Sequence, residues 1–189
     1  MTTYVKGAIA VAGLAAVAWL VTGAQLPWSR SQAEGSLTSA STPPADACPA
    51  DAPAAPLNFT VKDMHDQPVR LSDYAGKVVL LDFWATWCGP CKVEIPGFID
   101  LQNKYGNSGF QVLGVSIDDK PEQLTPYAAE MGMNYPVLQG LGQDDLLDAF
   151  GPMFGIPVSV VISRDGKMCA RHMGFTSKDV FEAQIKALL

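Results

Sequence analysis

Two cysteines set three apart carry the most specific chemistry in this sequence, in the run Trp87-Cys88-Gly89-Pro90-Cys91. The pair follows an apolar run, Val78 to Phe83, and precedes a stretch with helical spacing. A cysteine at the first turn of a helix meets unpaired amides and the positive end of the helix dipole, and both favour the thiolate. Cys88 is therefore the expected nucleophile of thiol–disulfide exchange. Cys91, one turn further in and less exposed, is the expected resolving thiol. Gly89 is read as the residue that lets the backbone turn. Pro90 stiffens the turn and is tolerated in a first helical turn. A bare CxxC also serves zinc sites, but proline between the cysteines at a strand-to-helix junction points to redox work. Asp82 interrupts the apolar run, and a charge inside a central strand needs a purpose.

The elements that must position this pair can be read from the hydrophobic pattern. Asn58 to Val61 and Val69 to Leu71 read as short strands around a turn at Met64 to Pro68. Val78 to Phe83 suits a central strand buried on both faces. The helix after Cys88 should end near Tyr105-Gly106, turn Val93, Phe98, Ile99 and Leu101 inward, and kink at Pro96. Phe110 to Ile117 reads as a second central strand. Glu122 to Met131 and Asp144 to Phe150 read as helices. Val158 to Ile162 and Met168 to Met173 form a hairpin around Arg164-Asp165-Gly166-Lys167. Ser177 caps a final helix to Leu188, with Val180, Phe181, Ile185 and Leu188 inward. Strands interleaved with helices, closed by a hairpin, give an α/β fold with a mixed sheet flanked by helices.

Ahead of that pattern lie two other compositions. The 23 residues from Gly7 to Ser29 carry no charge, and about 20 suffice to cross a bilayer as a helix. Residues 1–28 are read as a transmembrane anchor, with a cleaved signal peptide ending at Thr22-Gly23-Ala24 as the rival. Lys6 weakly places the N-terminus in the cytoplasm. In residues 29–56, 20 of 28 are Ala, Ser, Thr or Pro, and five prolines exclude regular structure. That is a linker. Residues 57–189 are the globular domain. A net charge of -6 argues against nucleic acid as a partner. Four cysteines in 189 residues are too few for a disulfide scaffold, and gaps of 40, 3 and 78 positions do not resemble zinc knuckles.

The stretch Val79-Leu80-Leu81-Asp82-Phe83-Trp84-Ala85-Thr86-Trp87-Cys88-Gly89-Pro90-Cys91-Lys92 resembles the active-site signature of the thioredoxin superfamily. Lys92-Val93-Glu94-Ile95-Pro96, the block from Phe59 to Lys77, and Gly155-Ile156-Pro157 resemble its membrane-anchored TlpA/ResA-like branch. The likeness spans the chain from Leu57 onward. It implies a thioredoxin-like fold with an N-terminal β-hairpin and an insertion before the cis-proline loop. The 39 residues from Asp118 to Ile156 leave room for that insertion.

The resemblance also implies roles. Pro157 matches the cis-proline beside the disulfide, and the Ile156 backbone is placed to pair with an extended substrate. Val158 stands where the family usually has threonine. Trp87, Gly89 and Pro90 line the same approach. Asp82 matches the buried acid under the cysteines, and Glu94 the acid that ResA-like members hold near them. Either can shuttle the proton of the resolving thiol, and the choice stays open. Some TlpA-like proteins clamp their N-terminal segment to the domain with a disulfide, a role that Cys48 and Cys169 would fill here. No cofactor and no metal are implied. His65 and His172 receive no catalytic role, and Asp118-Asp119 is read as a turn cap. The reading is an extracytoplasmic protein-disulfide reductase on the inner membrane, recharged by a membrane thiol transporter. Its clients are exported proteins with disulfides, such as apocytochrome c or copper-site proteins of cytochrome oxidase. The alternatives are a cysteine-based copper or zinc module and a thiol peroxidase. The peroxidase motif puts Thr or Ser three residues before its cysteine, where this chain has Ala85.

Overall fold

Strand β3, Val78–Trp84, is buried at every position and forms the middle of a five-stranded sheet. The computed structural model describes residues 48–189. The expected membrane anchor and residues 29–47 of the expected linker lie outside the described residues. Among the described residues, no helix is long and apolar enough to cross a membrane.

The chain enters through a hairpin, β1 Thr60–Lys62 against β2 Pro68–Arg70, paired antiparallel. After β3 come α1 Gly89–Tyr105, β4 Phe110–Ser116, α2 Pro121–Met131, β5 Val137–Gln139 and α3 Asp144–Ala149. Strands β6 Val158–Ile162 and β7 Met168–Met173 and helix α4 Lys178–Leu188 complete it. The strand order is β5-β4-β3-β6-β7, with β3, β4 and β5 parallel and β6 and β7 antiparallel to their neighbours. Alternation along each strand sorts side chains to two faces. Val79, Leu81 and Phe83 pack with Leu146 and Phe150 around α3 and with Val61 and Leu71 from the hairpin region. Val78 and Leu80 pack with Phe98 and Leu101 of α1 and Phe181 and Ile185 of α4.

Several local expectations need correction. Val93 on α1 is 63% exposed, because the inward stripe runs through Cys91, Glu94, Ile95, Phe98 and Leu101 instead. Val180 on α4 is exposed too, since only Phe181 and Ile185 of that helix are fully buried. Ser177 takes the N-cap position without a side-chain cap bond. Pro96 does lie inside helix α1, as read. Strand β5 is only three residues long and carries no alternation by which to find it. The end of the segment read as linker lies on the domain. Met168 N–H donates to Pro53 O at 2.9 Å and Ala55 N–H to Gly166 O at 2.7 Å. These are backbone bonds, so an Ala/Pro composition does not reveal them.

Candidate redox site

Cys88 is the N-cap of α1, with extended backbone angles, and Pro90 sits in the first turn. The Cys91 amide points at Cys88 Sγ from 3.2 Å. Cys88 and Cys91 are joined as a disulfide. They are 3% and 1% exposed, so any asymmetry between them comes from Cys88 being at the helix end and not from access. Gly89 does not have a left-handed φ, and a Cβ there would meet nothing within 4 Å. The turn does not demand glycine.

The turn that carries Cys88 is tied to the neighbouring strand. Asp119, buried just past β4, accepts from Thr86 N–H at 2.8 Å, Thr86 Oγ1 at 2.5 Å and Ser116 Oγ at 2.5 Å. Asp118 accepts from the indole Nε1 of Trp87 at 3.0 Å. The pair read as a turn cap thus holds the loop that leads into Cys88. Trp87 remains 62% exposed beside Cys88.

Both acids lie inside. Asp82 is 2% exposed and its Oδ1 accepts from Ser159 Oγ at 3.0 Å. Burial pushes its carboxyl well above the usual range, and the charge of Glu94 adds to the effect. Glu94, on the second turn of α1, is 4% exposed and accepts from Thr176 N–H at 2.7 Å, while its Oε2 is buried without a partner among the described residues. Burial lifts Glu94 to about 7 against the opposing Thr176 bond. A carboxyl at about 7, as at Glu94, can hold or release a proton near neutral pH.

The Ile156–Pro157 bond is cis. Ile156 packs against the cluster that holds Trp84, Cys88, Cys91 and Ile95, and Gly174 N–H donates to Pro157 O at 2.8 Å. Phe154 and Phe175, on loops, and Met173, the last residue of β7, are exposed hydrophobics at this end of the sheet. Lys92 sits over the Tyr127 ring at 5.9 Å.

Cys48 and Cys169 are joined to each other across 121 positions. Cys169 falls at a bulge of β7 near its pairing with Ile162, and so lies at the opposite end of the β6–β7 pair from Pro157. All four cysteines are thus consumed in two separate disulfides. Thr176, Ser159, Asp118 and Asp119 are site residues that the sequence reading missed. Of these, Asp118 and Asp119 left a trace there, as a pair of acids after a buried strand read only as a turn cap.

A family model described as the AhpC/TSA family matches residues 52–171. The thiol-disulfide oxidoreductase ResA of Bacillus thuringiensis is 30% identical over 131 residues, covering 69% of this chain and 75% of the relative. The thiol:disulfide interchange protein HelX of Rhodobacter capsulatus is 33% identical over 131 residues, covering 69% of this chain and 66% of the relative. A crystal structure of a thiol:disulfide interchange protein of the thioredoxin family from Chlorobium tepidum superposes with a TM-score of 0.66 at 30% identity, over 74% of this chain and 99% of that one.

Proposed function

The chain belongs to the AhpC/TSA family and is a thiol–disulfide oxidoreductase of its thioredoxin-fold, ResA-like group, and on that premise we propose that it reduces disulfides of exported proteins. The observation that carries the reading is a disulfide at a helix N-terminus with a buried carboxyl on the strand before it, Asp82, and another one turn along the same helix, Glu94. In the reduced protein the Cys88 thiolate attacks one sulfur of the client disulfide. A Cys88–client bond forms, and the other client sulfur leaves as a thiolate. Cys91 then gives its proton to a buried carboxylate, Asp82 or Glu94, and attacks Cys88 Sγ. The client leaves fully reduced, and the Cys88–Cys91 disulfide remains. Trp87, Gly89, Pro90 and the Ile156 backbone beside Pro157 form the surface that receives the client.

The CGPC sequence supports the reducing direction, since reducing thioredoxins lie near about -270 mV. The apolar tract of residues 7–29 supports an anchor in the inner membrane with the domain outside the cytoplasm. A membrane thiol transporter then supplies the electrons. The client classes are apocytochrome c haem-site cysteines and copper-site assembly proteins of cytochrome oxidase. The deciding experiment pairs a redox titration with trapping. The potential should lie below about -200 mV, and Cys91→Ser should accumulate mixed disulfides that Cys88→Ser does not. A potential near about -120 mV would reverse the direction of electron flow. Complexes trapped through Cys91 would reverse the roles of the two thiols.

A further inference from the structure

The sheet register sets Gly114, Asp82, Ser159 and His172 side by side across β4, β3, β6 and β7. Partners in register share one face of a sheet. Here it is the face covered by α1 and α4, because Leu80, Val112, Val161 and Ala170, two positions along the same strands, all pack in that layer. Gly114 adds no side chain, and Trp84 and Tyr135 crowd the space above it. Three polar side chains therefore form a continuous row through an otherwise apolar layer.

The row grades from buried to half-buried. Asp82 and Ser159 are buried, and their hydrogen bond is the only one the carboxylate makes among the described residues. His172 is half-buried, with Nε2 3.0 Å from Gln184 Oε1 on α4 and its ring edge-on to Phe181. Gln184 is half-buried as well. Cross-strand partners place their Cβ atoms about 4.5–5.5 Å apart, so the Ser159 hydroxyl can turn between the carboxyl on one side and the imidazole on the other. Apolar side chains would fill these positions without the desolvation cost of a hydroxyl and a carboxyl.

We propose that Ser159 and His172 form the route by which protons pass between the buried Asp82 carboxyl and solvent, across the sheet toward α4. This rests on the reading above in which Asp82 accepts the Cys91 proton. The step changes only O–H and N–H bonds. The Asp82 proton moves to Ser159 Oγ as the Ser159 hydroxyl proton moves to a free imidazole nitrogen of His172, and the imidazolium then loses one proton to water. The route is needed because a docked client covers the strand ends where Cys88 and Cys91 lie. The other ionisable groups facing the row are Glu94 on α1 and Tyr135 ahead of β5. On α4, Glu182 is taken up by Lys104 and Tyr105, and Lys178 by Asp100. None of these gives Asp82 a hydrogen bond.

The test uses the full-length protein and the infrared C=O band of the protonated Asp82 carboxyl, identified by its loss in Asp82→Asn. After a jump from below to above the pH at which this band titrates in the wild type, the band should decay about tenfold more slowly in Ser159→Ala and in His172→Gln. Ser159→Thr, which keeps the hydroxyl, should restore the rate. Unchanged decay in both variants would overturn the route. The underlying reading is judged separately, by the second, resolving phase of the reaction of the reduced protein with 5,5′-dithiobis(2-nitrobenzoate). If Asp82→Asn leaves that phase unchanged, Asp82 is not the acceptor, whatever the band kinetics show.

Discussion

The two disulfides are chemically identical and sit at opposite ends of the β6–β7 pair. Burial alone would rank them wrongly for reactivity. Cys88 and Cys91, the exchanging pair in our reading, are buried, whereas Cys48 and Cys169 are half-buried. What differs is the setting. Cys88 has a helix N-terminus behind it and two buried acids nearby, whose carboxyls are held above their ordinary range. Asp165, in the turn beside the Cys48–Cys169 end, is instead held below its ordinary range by the Ser163 hydroxyl. The exchanging pair closes a separation of 3 positions and the other a separation of 121. A short link constrains the unfolded chain little, whereas a long one constrains it strongly. One disulfide is thus suited to being broken and the other to being kept.

Substitution should separate the two most sharply. Serine at Cys88 or Cys91 should bring protein-disulfide turnover down to the uncatalysed level. The double change Cys48→Ala, Cys169→Ala should leave turnover within about twofold and lower the unfolding free energy by roughly 2–4 kcal/mol. Urea unfolding and an insulin-reduction assay on the same preparations read both quantities. Comparable activity losses in the two sets would end the distinction. In wild-type protein, a mild reductant should open Cys88–Cys91 and leave Cys48–Cys169 linked on peptide mapping.

The buried acids allow a finer test. Glu94 titrates near 7 in the folded protein, against an ordinary value of 4.5. A raised carboxyl destabilises the fold where it is charged. The cost is full above pH 7, shrinks as pH falls through 7, and vanishes below about 4.5. The whole shift corresponds to on the order of 3 kcal/mol. Glu94→Gln in the oxidised protein should therefore melt several degrees above wild type at pH 8 and no higher at pH 4.5. The same variant should slow resolution by Cys91 more than initial attack by Cys88. An equal melting shift at both pH values would show that the gain comes from something other than charge burial.

The legible part of this site was the part written locally. Cys88, Gly89, Pro90 and Cys91 are neighbours, and β3 and α1 on either side carry clear periodicity. Asp82 stood out as a charge in an apolar run, and its burial follows from its place in a central strand. The contacts that hold the site are long-range. Thr86 meets Asp119 across 33 positions, Ser159 meets Asp82 across 77 and Thr176 meets Glu94 across 82. Nothing in the local spacing of Ser159 or Thr176 announces them, and the Thr176 contact runs through a backbone amide that any residue but proline supplies. Val93 misled for the opposite reason. It is apolar at helical spacing, yet the inward stripe of α1 falls on Glu94 and Ile95.

The smallest effects should come from the groups that steady the redox end, and they too should divide by burial. Asp119 accepts three hydrogen bonds in a buried position, so Asp119→Ala leaves the Thr86 amide and two hydroxyls without their acceptor. That should cost about 1–3 kcal/mol and slow the first attack by Cys88, whose turn is no longer anchored. Asp118 accepts a single bond from Trp87 at an exposed site. An exposed polar contact of this kind contributes within about 1 kcal/mol, so Asp118→Ala should leave the melting temperature nearly unchanged. What it frees is the Trp87 indole, which stands beside Cys88 on the surface that, in our proposal, receives the client. KM for a protein disulfide should therefore rise two- to threefold, on the order of 0.5 kcal/mol, while the attack rate on a small aromatic disulfide stays the same. Asp118→Asn, whose amide oxygen can still accept the indole N–H, should recover the lower KM. A KM that follows the loss of charge, rising equally in the Asn and Ala variants, would make Asp118 an electrostatic contact and not a brace for Trp87.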